Sequence, residues 1–181
     1  MSRRPAPAPI PRSHAELKAR PCNEIRIRDF ERTRDLEAVR RCFIELQDVE
    51  RAIDDRMPPG SEVVDAYLEL LFKRAEMYLG KILVAESDGQ VVGYVSVWAK
   101  TWSDEPDDGI VEHAYITDLV VLPTHRRLGI AGQLLETAEA YAKSHGAQYL
   151  RLGLKGGNAR AKAFYLQAGF DEFELQLEKS L

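Results

Sequence analysis

The spacing of apolar residues changes period several times along this chain, and each change marks an element. Ile25 to Asp29 reads Ile-Arg-Ile-Arg-Asp, the two-residue alternation of a half-buried strand. After Thr33, a candidate N-cap, Leu36, Val39, Phe43 and Leu46 recur at helical spacing while Arg40 and Arg41 fall off that face. A Pro-Pro-Gly break at Pro58 to Gly60 ends this run, and Ser61 is placed to cap a second helix carrying Val63, Tyr67, Leu70 and Leu71, which Gly80 closes. Two β-rich runs follow, Lys81 to Glu86 and Val91 to Ala99, and the Asp88-Gly89 pair between them suits a tight hairpin turn.

A further strand is expected from about Val111 to Val121, then a helix from Arg127 to His145 with Ala131, Leu134, Leu135, Ala138 and Tyr141 on one side and Gly146 as its stop. Strand Tyr149 to Leu154, helix Ala159 to Gln167 and strand Phe170 to Leu177 complete the series. The predicted order is β-α-α-β-β-β-α-β-α-β, a mixed α/β domain over residues 23–181. Residues 1–22 differ in kind. Pro5, Pro7, Pro9, Pro11 and Pro21 fall there among few large apolar residues, as in an extended or disordered tail.

Composition narrows the function. A net charge of -4 offers no chain-wide attraction to nucleic acid or anionic membrane, although Arg26, Arg28, Arg32, Arg34, Arg40 and Arg41 make one arginine-dense region. Cys22 and Cys42 with four scattered His form no zinc-type spacing, so no metal is expected, and two cysteines suit a reducing, cytoplasmic setting. No apolar run approaches the roughly 20 residues of a membrane span, and no apolar stretch follows Arg3 and Arg4 as a secretory signal requires.

The chemistry concentrates between Leu119 and Leu135. A strand, Leu119-Val120-Val121, runs through a short loop into a helix opened by Arg126-Arg127-Leu128-Gly129-Ile130-Ala131-Gly132. Unpaired amides at the positive end of a helix dipole converge there on one point, where a phosphate or pyrophosphate fits. Gly129 and Gly132 permit close backbone approach, and Arg126 or Arg127 can add charge-assisted bonds. Neither the P-loop pattern nor G-x-G-x-x-G is present, which argues against a nucleoside triphosphatase or a dinucleotide oxidoreductase.

Arg126-Arg127-Leu128-Gly129-Ile130-Ala131 resembles the acetyl-CoA signature [QR]-x-x-G-x-[GA] of the GNAT superfamily of N-acetyltransferases. Asn158-x-x-Ala161-x-x-Phe164-Tyr165-x-x-x-Gly169-Phe170 looks like its second signature. The likeness covers Lys81 to Leu177 well and the earlier elements weakly. It implies a mainly antiparallel twisted sheet of six to seven strands with four helices, strands four and five being splayed. It further implies acetyl-CoA as co-substrate, with its pyrophosphate on the backbone from Arg127 to Gly132 and its pantetheine arm along Leu119, Val120 and Val121. A β-bulge near Asp118 is expected to open the strands, with Asn158 contacting the coenzyme or capping its own helix. Tyr165 matches the position that protonates the departing thiolate.

The incoming amine must lose a proton, and Glu112 and Asp118 are the local carboxylates that could take it. Some relatives carry a glutamate on the fifth strand where this chain has Gly153, which leaves room for a catalytically silent acyl-CoA-binding regulatory module as an alternative. The acceptor is expected to be a small-molecule or peptide amine. Asp104, Glu105, Asp107 and Asp108 could draw a cationic one in, and Trp98 with Trp102 could form an aromatic wall. The sequence is compatible with a homodimer.

Overall fold

The computed structural model describes residues 24–101 and 112–181. The proline-rich segment, the acidic residues 104–108 and Trp102 therefore lie outside the described residues. The elements run β1 (Ile25–Asp29), α1 (Arg32–Arg51), α2 (Gly60–Met77), β2 (Gly80–Ser87), β3 (Gln90–Thr101), β4 (His113–Val121), a 3-10 turn (Pro123–His125), α3 (Ile130–Ser144), β5 (Leu150–Leu152) and α4 (Ala159–Gln167). The described strands form one five-stranded sheet in the order β1-β2-β3-β4-β5. Its first four strands are antiparallel neighbours, and β5 joins β4 in parallel.

Each face of the sheet carries its own core. On one face α1 and α2 bring Val39, Phe43, Val64, Leu68 and Leu71 onto Val84, Tyr94 and Val120. On the other α3 brings Ile130, Leu134, Leu135 and Ala138 onto Leu83, Val95, Val97, Ile116 and Val121, with Phe164 and Tyr165 of α4 beside them. Burial of large aliphatic side chains at roughly 1.5–3 kcal/mol each holds both layers. Cys42 is part of the first core, where burial pushes its thiol up to about 12 and leaves it an inert hydrophobe.

Several caps differ from expectation because neighbouring elements supply them. α1 starts one residue before Thr33, and its first turn is held by Asp35, which accepts from the Glu31 amide at 2.9 Å and grips Arg28 of β1 at 2.6 and 2.8 Å. Ser61 makes no cap. Instead Asp48 of α1 accepts from the Gly60 amide at 2.9 Å, and a Cβ on Gly60 would sit 2.8 Å from the Ile44 backbone. Gly80 is the first residue of β2, pressed against Ala75, rather than a helix stop. The arginine-dense region is largely spent on ion pairs, Arg28 and Arg34 to Glu86 and Asp35, and Arg40 to Glu37 and Asp65.

The Asp88-Gly89 hairpin forms as read, both residues having positive φ (50° and 75°), which matches the twist of the paired strands. The strand expected from Phe170 to Leu177 does not form, so the sheet has five described strands rather than six or seven. Alternation alone cannot make a strand, which needs an edge to pair with and a face to bury. Here β5 is three residues long, and Phe173, Leu175 and Leu177 remain exposed. The segment is tethered instead through Phe173 under Arg151, Glu172 to Lys162, and Glu178 to Arg56.

Candidate functional site

The loop before α3 is shaped by left-handed residues. Arg127 and Gly129 have φ of 63° and 76°, turning the chain so that α3 begins at Ile130 rather than at Arg127 as its apolar spacing suggested. The bond from Gln133 N to Gly129 O opens the helical ladder, leaving the amides of Gly129, Ile130, Ala131 and Gly132 ahead of it, and no side chain caps them. A Cβ at Gly129 or Gly132 would meet nothing within 4 Å, so these amides stand beside open space. Arg127 and Leu128 are exposed on the same loop. Arg126 is committed elsewhere: its Nε donates to Val121 O at 2.9 Å and its guanidinium pairs with Glu45 of α1 at 2.8 Å. It therefore fixes the loop to the sheet, and Arg127 is the arginine left to face an anion.

β4 delivers the second part of the site through an irregularity. Ser96 pairs with Asp118 and Val97 with Ile116, so Thr117 is an extra residue bulged out of the ladder. In a regular strand Ile116 and Asp118 would share a face. The bulge breaks that rule: Ile116 packs toward α3, whereas Asp118 turns to the α1 and α2 face and accepts from Tyr67 Oη at 2.7 Å. Thr117 Oγ1 donates to the other carboxylate oxygen at 2.9 Å. Burial at 4% exposure lifts the Asp118 carboxyl to about 6, against the pull of those two bonds.

β5 pairs with β4 only where Leu150 to Leu152 faces Ala114 to Ile116. Beyond Ile116 the strands part, and Leu119, Val120 and Val121 keep a backbone edge with no β5 partner, while their side chains divide between the two cores. Through this opening Tyr165 of α4 comes within the electrostatic reach of Asp118. Its phenol is raised first by burial and then by the charges of Asp118 and Glu50, and its hydroxyl has no hydrogen-bond partner among the described residues. Phe164 and Phe170 hold its ring edge-on at 5.1 and 5.6 Å.

The other expected site residues are placed as follows. Asn158 caps α4, its Oδ1 accepting from Ala161 N at 3.1 Å. Glu112 is exposed, pairs with Lys100 at 2.8 Å, and precedes the opposite end of β4, roughly 20 Å of strand from Asp118. It is not brought together with Tyr165. At Gly153 a Cβ would lie 2.9 Å from the Tyr115 hydroxyl, so a side chain from β4 fills the space. Trp98 packs with Tyr78 and Tyr115 in an aromatic cluster.

The sequence reading missed two members of this group. Tyr67 read as a core position on α2, yet its hydroxyl reaches Asp118, and burial together with that carboxylate raises it. Glu50, in the last turn of α1, is half-buried with its carboxyl raised by burial, and its charge is felt by Asp118, Tyr67 and Tyr165. Nothing local in α1 distinguishes it from its neighbours. No group of three or more His, Cys, Asp or Glu among the described residues is placed to hold a metal, and no described helix is long and apolar enough to cross a membrane.

A helix N-terminus open to an anion lies in this α/β fold beside a strand edge without a strand neighbour and a buried acid near a tyrosine, an arrangement able to accommodate an extended phosphate-bearing molecule. The chain belongs to the acetyltransferase (GNAT) family, whose profile matches residues 43–170. An uncharacterized N-acetyltransferase of Bacillus subtilis, YhfO, is 34% identical over 100 residues, 55% of this chain and 64% of that protein. The N-alpha-acetyltransferase daf-31 of Caenorhabditis elegans is 36% identical over 84 residues, 46% of this chain and 43% of that protein. The matched region thus spans about half the length of these curated relatives. Among solved structures, a Pyrococcus furiosus protein superposes with a TM-score of 0.67 at 28% identity over 87% of this chain and 100% of that one. The aminoglycoside N-acetyltransferase AAC(6')-Iy, solved with CoA, shares the fold at a TM-score of 0.65 and 19% identity, covering 87% and 95% of the two chains.

Proposed function

We propose that this protein transfers the acetyl group of acetyl-CoA directly to a primary amine of a small molecule or peptide. The observation that carries the reading is the conjunction of an open α3 N-terminus with the part of the β4 edge that no strand pairs with, ending at Asp118 and Tyr165. The amides of Gly129 to Gly132 hold the pyrophosphate with Arg127 beside them, and the pantetheine arm adds to the Leu119–Val121 edge as an extra strand. This directs the thioester toward the bulge at Thr117. Ile130 and Ala131 seat the helix on the core, Leu128 lies exposed on the loop beside the amides, and Asn158 fixes the start of α4 and thereby Tyr165.

In the reaction the amine nitrogen bonds to the thioester carbon and the C–S bond breaks. Tyr165 donates its proton to the departing sulfur and is reprotonated from the now cationic nitrogen of the adduct through solvent. A phenol raised by burial and by nearby negative charge keeps its proton at neutral pH, as a donor must. Asp118, ionised above about 6, favours the positive charge that develops on the attacking nitrogen. No acyl-enzyme intermediate is invoked, since Cys42 is buried in the α1 core and neither cysteine lies in the coenzyme segment. Calorimetry with acetyl-CoA and thiol-release assays against polyamines, aminoglycosides, amino acids and peptides test the reading. It predicts micromolar-range binding and release of CoA with at least one acceptor class. No binding of acetyl-CoA refutes it, and binding without transfer favours a regulatory module.

A further inference from the structure

The last two turns of α1 lay a stripe of side chains across the mouth of the cleft. Phe43 stacks on Tyr67 at 4.1 Å between ring centroids, and Tyr67 in turn holds Asp118. Just past the end of α1, Ile53 presses on Gly157, where a Cβ would lie 2.6 Å from Ile53 Cγ2, and Asp54 accepts from Lys155 at 3.0 Å. Glu50 sits between these anchors, two turns after Phe43 on the same side of α1, and its backbone carbonyl accepts from the Asp54 amide at 3.0 Å just beyond the helix end. Both ends of the stripe are thus pinned, one to the floor of the cleft and one to the loop between β5 and α4.

The groups around Glu50 come from every element at that mouth. Asp118 stands on β4, Tyr67 on α2, Tyr165 on α4, Lys155 on the β5 to α4 loop and Asp54 in the turn after α1. Lys155 is held by Asp54, so it does not form a described salt bridge with Glu50. Asp118 is 4% exposed and already takes two hydrogen bonds. Glu50 is the half-buried carboxylate of this group whose side chain has no hydrogen bond or salt bridge among the described residues, and it stands nearer the surface than Asp118.

Resting on the transfer reading above, we propose that Glu50 recognises the acceptor as an alkylammonium ion and accepts the proton that frees its lone pair. The N–H bond of the ammonium breaks, the proton moves to a Glu50 carboxylate oxygen, and the nitrogen keeps the electron pair for attack on the thioester. The protonated carboxyl then releases the proton to water at the open side of α1. The acceptor class is an aliphatic amine that is cationic at neutral pH, approaching past the α1 end and the Lys155 loop.

The test compares wild type, Glu50→Gln and Glu50→Asp with spermidine, kanamycin, a free-N-terminus tetrapeptide and an arylamine that is neutral at assay pH. Rates are followed by thiol release from pH 5.5 to 9, alongside acetyl-CoA affinity by calorimetry. Glu50→Gln should raise KM for the aliphatic acceptor used by wild type at least about tenfold and remove the acid limb of its kcat/KM profile. Acetyl-CoA affinity and thermal midpoint should stay near wild type, Glu50→Asp should recover part of the loss, and an arylamine turned over by wild type should be spared. Equal KM and an unchanged acid limb in Glu50→Gln overturn the role of Glu50 while leaving transfer intact. Wild type that binds acetyl-CoA but acetylates none of the four overturns the transfer reading and this inference with it.

Discussion

Asp118 should be a residue that the fold tolerates at a loss, and replacing it with asparagine measures that loss. Its carboxyl is raised from 3.8 to about 6, with burial the largest cause. At about 1.4 kcal/mol per pH unit, a shift of about 2 units makes the ionised side chain destabilising by up to roughly 3 kcal/mol. The sign follows from proton binding. The folded protein holds this proton more tightly than the unfolded chain, so stability falls as pH rises from about 3.8 through about 6 and stays lowered above it. Asp118→Asn removes the charge and keeps an acceptor for Tyr67, while its amide can donate to Thr117 Oγ1. The variant should exceed wild type by up to about 3 kcal/mol at pH 8, about 6–12 °C in thermal midpoint for a chain of this size, with the gain vanishing near pH 4. Urea unfolding of both proteins at half-unit steps from pH 4 to 8 reads this difference. A variant less stable than wild type at pH 8, or a difference that does not change with pH, refutes the reasoning. Activity should move the other way, because the negative charge facing the attacking nitrogen is gone.

Three further outcomes test other parts of the structure. Tyr165→Phe should lower kcat about a hundredfold or more while acetyl-CoA affinity by calorimetry stays within about twofold; unchanged turnover under chemistry-limited conditions removes the donor role. Gly129→Ala should cost only about 1–2 kcal/mol of stability, since its Cβ meets nothing within 4 Å and the penalty is that of a left-handed φ, but should weaken acetyl-CoA binding about tenfold or more by narrowing the approach to the α3 amides. Asp35→Ala should destabilise by about 3–5 kcal/mol in urea unfolding, because Arg28, paired with it at 2.6 Å, loses its buried ionic partner and keeps Glu86 and the Asp29 carbonyl.

How far the sequence could be read depended on the range of the interactions. The Asp88-Gly89 turn, the extent of α4 and its Asn158 cap formed where a few adjacent residues decide the outcome. The same holds for the glycines that open α3 and for the motif order that led to the acetyltransferase family. The bulge near Asp118 was anticipated from the family resemblance, but its exact consequence was not. Only the pairing of β3 with β4 puts Thr117 out of register and turns Asp118 away from Ile116 and onto Tyr67.

The tertiary structure alone decided the remaining assignments. Arg126 and Arg127 are indistinguishable in sequence, yet Val121 O and Glu45 occupy the first and leave the second exposed. Phe170 to Leu177 alternates as a strand should, but without an adequate edge to pair with it stays out of the sheet. Glu50 acquires its significance from residues 17 to 115 positions away, brought to it by α2, β4 and α4. Turn chemistry and helix starts are written in a handful of neighbouring residues. Strand pairing, burial and the field at a carboxyl are set by whichever distant residues the fold delivers, and those no local pattern records.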